Sequence, residues 1–273
     1  MSDLMRIHAN VQAMQSMNSL SQINEKIGMH QLRLATGKKI NSAAEDPAGY
    51  QLARSLETRR RGLDAALQNV SQAKNVMNVA EGGYQNIMDI LQTIKEKATQ
   101  AADYSLSSTQ RSSINDQVAA LIAEIEEIVD ETTFNGDSLI DGGYSGAFHT
   151  GEGASDELTI TLQNSDSAAL SINSLDLSSA NGASGAISTA SSAIDTLAGR
   201  IQDVGEYKVR LASKERTLSV AVTNAEATRS VIEDADFAKE QMEVMKLQIL
   251  QQTAVSSLVQ ANSAPQVVLS LFR

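Results

Sequence analysis

"LDAALQNVSQAKNVMNVAEGGYQNIMDILQTIKEKATQA", Leu63 to Ala101, decides the fold. Leu63, Ala66, Val70, Ala73, Met77, Ala80, Tyr84, Ile87, Leu91, Ile94, Ala98 and Ala101 recur at alternating steps of three and four without a break. A seam of that period, sustained over several heptads, specifies a long coiled-coil helix. At 1.5 Å per residue, a helix of roughly 40–55 residues is about 60–80 Å long. It is a rod, and it needs partner helices along its whole length. Ala at alternate seam positions lets a partner approach closely. Gly82-Gly83 interrupts the rod, each weaker than Ala by about 1 kcal/mol in a helix. Close packing is the favoured reason, and a bend is the other.

Working outward, Ile114, Val118, Leu121, Ile125 and Ile128 repeat the pattern and predict a second helix ending near Glu131. Ile187, Ala190, Ile194, Leu197, Ile201, Val204, Leu211, Leu218, Val222, Ala225 and Ile232 predict a third, of roughly 45 residues. Lys208, Glu215 and Arg229 take polar places on its seam, which fixes register at some cost in stability. Between the second and third helices, Asn135-Gly136 and Gly142-Gly143 signal turns. Leu158, Ile160 and Leu162 alternate in "DELTITLQ" (156–163), which predicts a strand. "AALSINSLDL" (168–177) predicts a weaker second strand, and "SSANGASGA" (178–186) a flexible connection.

Both ends are also helical in period: Met14, Met17, Leu20, Ile23, Ile27, His30 and Leu34 on one side, Ala238, Met242, Met245 and Ile249 on the other. Between Leu34 and Leu63, Ser42 with Glu45 reads as a capping box. Asp46-Pro47 places an N-cap before a proline at the first helical position. Isolated terminal helices are marginal in water, so both ends are expected to order fully only when copies pack together.

The fold class is therefore mainly α: helical rods with a small β-hairpin insert, bracketed by terminal helices.

Composition narrows the function. The chain has 273 residues, a net charge of −11 and no cysteine. An acidic chain is a poor nucleic-acid partner. Without cysteine there is no disulfide, thiolate metal site or Cys nucleophile. His8, His30 and His149 lie far apart and read as surface or packing residues, so no metal, cofactor or Ser/His/Asp site is expected. Residues 1–62 hold nine Lys/Arg against five Asp/Glu, whereas residues 112–199 hold no Lys or Arg and fourteen acids. The acids of "EIEEIVDE" (124–131) read as the wet face of an amphipathic helix. No apolar run is long enough to cross a membrane. No basic segment followed by an apolar one opens the chain, so a cleaved secretory signal is not expected.

Segments towards both ends of the chain carry a resemblance. "INSAAEDPAGYQLARSLETRRRGL" (Ile40–Leu63) closely resembles the N-terminal signature of the bacterial flagellins. "MRIHANVQAM" (Met5–Met14) resembles their start, and "TTFNG" (132–136) the end of their second rod helix. "IEDADFAKE" (232–240) and "ILQQTAVSSLVQANSAPQVVLSLFR" (249–273) resemble the C-terminal signature. The chain departs from the pattern at His8 and Ala9, at the extra Gly83 and in its last residues.

The resemblance implies that the N- and C-terminal helices pair, and it implies three parts: residues 1–40 with 235–273 as a terminal coiled-coil domain, 41–131 with 187–234 as a rod domain, and 132–186 as its β-rich insert, with no separate outer domains. It also implies a structural, non-enzymatic subunit, exported to the cell exterior without a cleaved signal peptide, that polymerises into the flagellar filament for motility. It implies itself as partner in a helical homopolymer, and also a flagellar type III export apparatus, a flagellin chaperone, and hook-associated and filament-cap proteins. Assembly residues implied on the N-terminal side are Met14, Leu20, Ile27, Leu34, Asn41, Ser42, Ala43, Asp46 and Gly49. On the C-terminal side they are Met242, Met245, Ile249, Ala261, Asn262, Pro265, Gln266, Leu269 and Leu271. Pro265 starts, kinks or divides a last helix. In family members sensed by a vertebrate Toll-like receptor, the first rod helix carries an Arg and a Leu four residues apart and the second a Glu. The ungapped match places Thr93, Lys97 and Gln117 there, so weak or absent recognition is expected. The alternatives are the hook–filament junction protein and a secreted helical adaptor or translocator.

Overall fold

A computed structural model describes residues 10–270. The element order is α1 (Val11–Thr36), α2 (Pro47–Ala101), α3 (Ser108–Glu131), β1 (Thr133–Phe134), β2 (Asp137–Ser138), β3 (Ser145–His149), β4 (Glu157–Thr161), α4 (Ala180–Glu233) and α5 (Phe237–Ser270). The chain divides into two compact units, residues 59–223 and the sequence on either side of them.

In the unit spanning 59–223, all twelve predicted seam residues of α2 are buried, the eleven from Ala66 onward at 0–1% exposure. They pack with Ile114, Val118, Ile125 and Val129 of α3 and with Ala190, Leu197, Val204, Leu211 and Leu218 of α4 in one continuous core. The polar seam places of α4 are ion pairs: Lys208 Nζ lies 2.5 Å from Glu81, and Glu215 2.7 Å from Lys74 Nζ. Tyr84 is fully buried and its hydroxyl donates to the Gln163 carbonyl at 2.9 Å. Desolvation pushes its pKa up to about 12.

Gly83 is explained by close packing. A Cβ there would stand 2.6 Å from Thr132 Oγ1 and 2.8 Å from its Cγ2, whereas one at Gly82 meets nothing within 4 Å. The α2–α3 turn is held at both ends. Arg111 donates to the carbonyls of Ala101 and Asp103, covering the end of α2, and Ser107 forms a capping box with Gln110.

The insert holds two antiparallel hairpins. Asn135-Gly136, both at positive φ, turns β1 into β2. β4 is the predicted strand, but its partner is β3, with Gly146 opposite Ile160 and Phe148 opposite Leu158. The predicted strand at 168–177 is not one. Its apolar side chains Leu170, Ile172 and Leu177 are buried, yet the backbone runs through turns. Side chains take the place of a ladder: Glu126 accepts from Ser167 N–H, Asp166 from Ala169 N–H and Asn115 from Leu177 N–H. Residues 178–186 are mostly helix, not a flexible connection. Ser179 Oγ accepts from Gly182 N–H at the start of α4, and Ala183 and Ala186 are already buried.

In the other unit α1 and α5 run antiparallel. Asn10 Nδ2 donates to the Ala261 carbonyl (2.8 Å), Gln251 to Asn24 (2.6 Å), and His30 Nδ1 meets Glu240. Asn10 also caps α1 through Ala13 N–H. α5 continues through Pro265 to Ser270, so proline neither starts nor divides it. Asp46 caps α2 through Gly49 N–H at 3.0 Å, as the Asp-Pro pair predicts. The Ser42–Glu45 capping box does not form, because the helix starts later and Glu45 pairs instead with Arg33 at 3.2 Å.

Candidate assembly site

The terminal helices show which faces the chain covers by itself and which it leaves open. On α1 the inward seam is Ala13, Ser16, Leu20, Ile23, Ile27, His30 and Leu34. Leu20, Ile27 and Leu34 are therefore on the predicted face, while Met14 and Met17 are one position off it and 63% and 62% exposed. On α5 the inward seam is Glu240, Val244, Leu247, Gln251, Ala254, Leu258 and Ala261, again in steps of four and three. Met242, Met245 and Ile249 instead point away from α1, at 60%, 49% and 67% exposure, in the company of Leu250, Val255 and Val259. α5 is thus apolar on two faces, and only one is covered. Such an exposed apolar stripe marks a protein contact. Leu250, Val255 and Val259 escaped the sequence reading, although their own spacing from Met242 and Met245 is helical.

Ala261 is buried, Asn262 is exposed, and Pro265, Gln266 and Leu269 lie on the last turns of α5. His8 and Leu271 lie outside the described residues.

The signature between α1 and α2 is a tight backbone crossing. Lys38 bridges Asp234 antiparallel, Lys39 N–H donates to the Glu233 carbonyl (2.6 Å) and Ala235 N–H to that of Gly37 (2.9 Å). Asn41 closes the turn by donating from Nδ2 to the Lys38 carbonyl, whereas Ser42 and Ala43 are exposed. Gly49 has no room for a side chain: a Cβ would stand 2.5 Å from the Asp46 carboxylate and 2.7 Å from Ile40 Cδ1. Glu233, 7% exposed at its side chain, accepts from Lys38 (2.5 Å) and from Arg229 (3.0 Å). Arg229 also reaches Glu226 at 2.6 Å and Glu57 at 3.7 Å, and these carboxylates raise its pKa. This chain of charges, joining residues up to 195 positions apart, was not visible in the sequence. Of its members, only Arg229 stood out.

In the unit spanning 59–223, Thr93, Lys97 and Gln117 are brought together. With Ala120, Leu121 and Glu124 they line an open groove of about 460 Å³ between α2 and α3. Thr93 Oγ1 is turned back onto the Asp89 carbonyl at 3.0 Å. The remaining histidine, His149, pairs across the β3–β4 hairpin with Glu157 at 3.2 Å. No group of three His, Cys, Asp or Glu able to hold a metal occurs among the described residues, and no helix among them is long and apolar enough to cross a membrane.

A seam-packed rod with paired, half-covered terminal helices defines a structural protein built to be completed by other chains. Comparison with known proteins names the class. The family "Bacterial flagellin N-terminal helical region" matches residues 7–145, and "Bacterial flagellin C-terminal helical region" matches residues 185–272. Flagellin FlaB1 of Treponema pallidum (strain Nichols) is 30% identical over 98% of this chain and 100% of its own. The flagellin of Listeria monocytogenes is 31% identical over 98% and 99%. The crystal structure of Bacillus cereus flagellin aligns with 58% of this chain and 88% of its own, at 22% identity. Its TM-score of 0.44 is too loose to add to the assignment. The chain belongs to the bacterial flagellin family. It is a structural subunit of the flagellar filament and not an enzyme.

Proposed function

We propose that the subunit polymerises by covering the outer face of α5 and the exposed side of α1 with the same helices of other copies. The observation that carries this is the second apolar face of α5, from Met242 through Ile249 and Val255 to Val259, which the chain leaves in water. A contact repeated between offset copies produces an open helical polymer. An interface of the obligate class, about 2,000–5,000 Å², is consistent with so much apolar surface on two helices. In this reading residues 1–40 with 235–273 form the inner layer of the filament, and 41–131 with 187–234 the next. The insert 132–186 belongs to that second layer. Asn41, Asp46 and Gly49 act by setting the crossing between α1 and α2 rather than by touching a neighbour. Pro265, Gln266, Leu269 and Leu271 extend the α5 contact.

Export through a flagellar type III apparatus, a chaperone that holds the C-terminal helix beforehand, and contacts with hook-associated and cap proteins complete the proposal. They rest on family membership. The test is elongation: purified subunit added to short filament seeds grows them, as seen by electron microscopy. Seeds that stay short, each carrying a single added layer, would support the junction-protein alternative instead. The groove at Thr93, Lys97 and Gln117 offers a Toll-like receptor neither the forked Arg donor nor the apolar contact of sensed members. A reporter-cell response at the low concentrations that suffice for a sensed flagellin would refute weak recognition.

A further inference from the structure

Nine methionines occur in the chain, and seven of them lie among the described residues. Their placement is polarised. Met77 is fully buried, and Met29 and Met88 are half-buried. Among the described residues, every methionine that is well exposed is on a terminal helix: Met14 and Met17 on α1, Met242 and Met245 on α5, at 49–63% exposure. Each pair is three residues apart, so its two thioethers share one helix face.

We propose that Met14, Met17, Met242 and Met245 are sites of reversible oxidation by peroxide or hypohalous acid, open in the free subunit and closed in the polymer. The inference rests on the assembly reading above. Thioether oxidation tracks access to sulfur, and these are the most accessible sulfurs the described chain has. In the reaction the sulfur lone pair attacks one peroxide oxygen. The O–O bond breaks, a sulfur–oxygen bond forms, and the other oxygen leaves as water. Sulfur is oxidised by two electrons and the peroxide is reduced by two. The product replaces a soft apolar side chain with a strongly dipolar sulfoxide. In an exposed helix face this does little to the fold. On a face that must be desolvated against another copy, the S=O oxygen needs a hydrogen-bond partner that an apolar contact does not supply. Oxidation therefore stops a subunit from joining the polymer without unfolding it, and a subunit already incorporated is shielded.

The experiment uses full-length subunit and dilute hydrogen peroxide. Peptide mass spectrometry is expected to show the four sites gaining one oxygen roughly tenfold faster than Met77 in the free subunit, and to show them protected in filaments. Circular dichroism is expected to be unchanged, seeded elongation to fall roughly tenfold, and methionine sulfoxide reductase to restore it. A Met14→Leu, Met17→Leu, Met242→Leu, Met245→Leu variant is compared with itself before and after peroxide, whatever its untreated rate, and is expected to lose less than about twofold. Equal oxidation of Met77, normal elongation by oxidised subunit, or undiminished sensitivity of the Leu variant each overturns the inference alone. Failure of the untreated subunit to elongate overturns the assembly reading, and the effect on assembly falls with it.

Discussion

Two adjacent glycines near the middle of α2 make opposite predictions from one substitution. Gly82→Ala adds a methyl into open space. The helix gains the Gly-to-Ala propensity difference, about 1 kcal/mol. Gly83→Ala gains the same, but its methyl lands 2.6 Å from Thr132 Oγ1, 2.8 Å from Thr132 Cγ2 and 3.1 Å from Ile140 Cδ1. Thr132 cannot swing away freely. It is the C-cap of α3, and both its N–H and its hydroxyl donate to the Ile128 carbonyl, at 3.0 and 2.6 Å. Overpacking of this kind costs about 1–3 kcal/mol, so the net effect is a loss of up to about 2 kcal/mol. For a unit of this size each kcal/mol moves the midpoint by about 2–4 °C. The assay is thermal unfolding of the unassembled subunit, followed by circular dichroism and calorimetry. Gly82→Ala should melt a few degrees higher and Gly83→Ala lower. Adding Thr132→Ala should turn Gly83→Ala favourable, since the two nearest obstructing atoms are gone and only Ile140 Cδ1, at 3.1 Å, has to give. Equal stabilisation by both alanines, or additivity in the double-mutant cycle, would refute close packing as the reason for Gly83.

Three further expectations concern other parts of the molecule. Deleting residues 261–273 removes the acceptor of Asn10 and the end of α5, and should leave a soluble helical subunit that does not elongate seeds; normal filaments would contradict the terminal-helix reading. Tyr84 is protonated more tightly folded than unfolded, so its contribution is whole below pH ~10 and is lost as pH rises toward ~12, a span worth about 2–3 kcal/mol. In Tyr84→Phe the alkaline loss measured between those values should shrink, while stability at neutral pH drops by about 1 kcal/mol for the missing bond to Gln163. Glu233→Ala takes away the carboxylate that Lys38 and Arg229 share, leaving Arg229 to Glu226 and Glu57 and Lys38 without that partner. A loss of about 2–3 kcal/mol, with faster hydrogen exchange in the last turn of α1 and recovery in high salt, is the expected result; exchange no different from the parent would remove the network from the account.

Much of the architecture was legible because burial leaves a period in the sequence. All twelve seam residues of α2 are buried, since a helix packed along its whole length must repeat its apolar residues every 3.5 positions. The Asp46 cap and the Asn135-Gly136 turn were legible because their chemistry is local, reaching no further than the next few backbone amides. The strand predicted at 168–177 failed for the converse reason. Its alternation records which side chains are buried, and alternation alone does not say whether the backbone donors find a neighbouring strand or, as here, Glu126 and Asn115.

α5 marks the boundary most clearly. Its sequence establishes a helix, but apolar residues lie on more than one side, so two registers against α1 are equally good by pattern. Only the tertiary structure chose the one through Val244, Leu247 and Ala261, where Gln251 meets Asn24, Glu240 meets His30 and Ala261 meets Asn10. That choice turned Met242, Met245 and Ile249 outward and made them a surface. The charge chain through Glu233 and the groove at Thr93, Lys97 and Gln117 were decided in the same way. Each depends on residues from different helices arriving side by side, and helical period in a single segment carries no record of which other segment lies across from it.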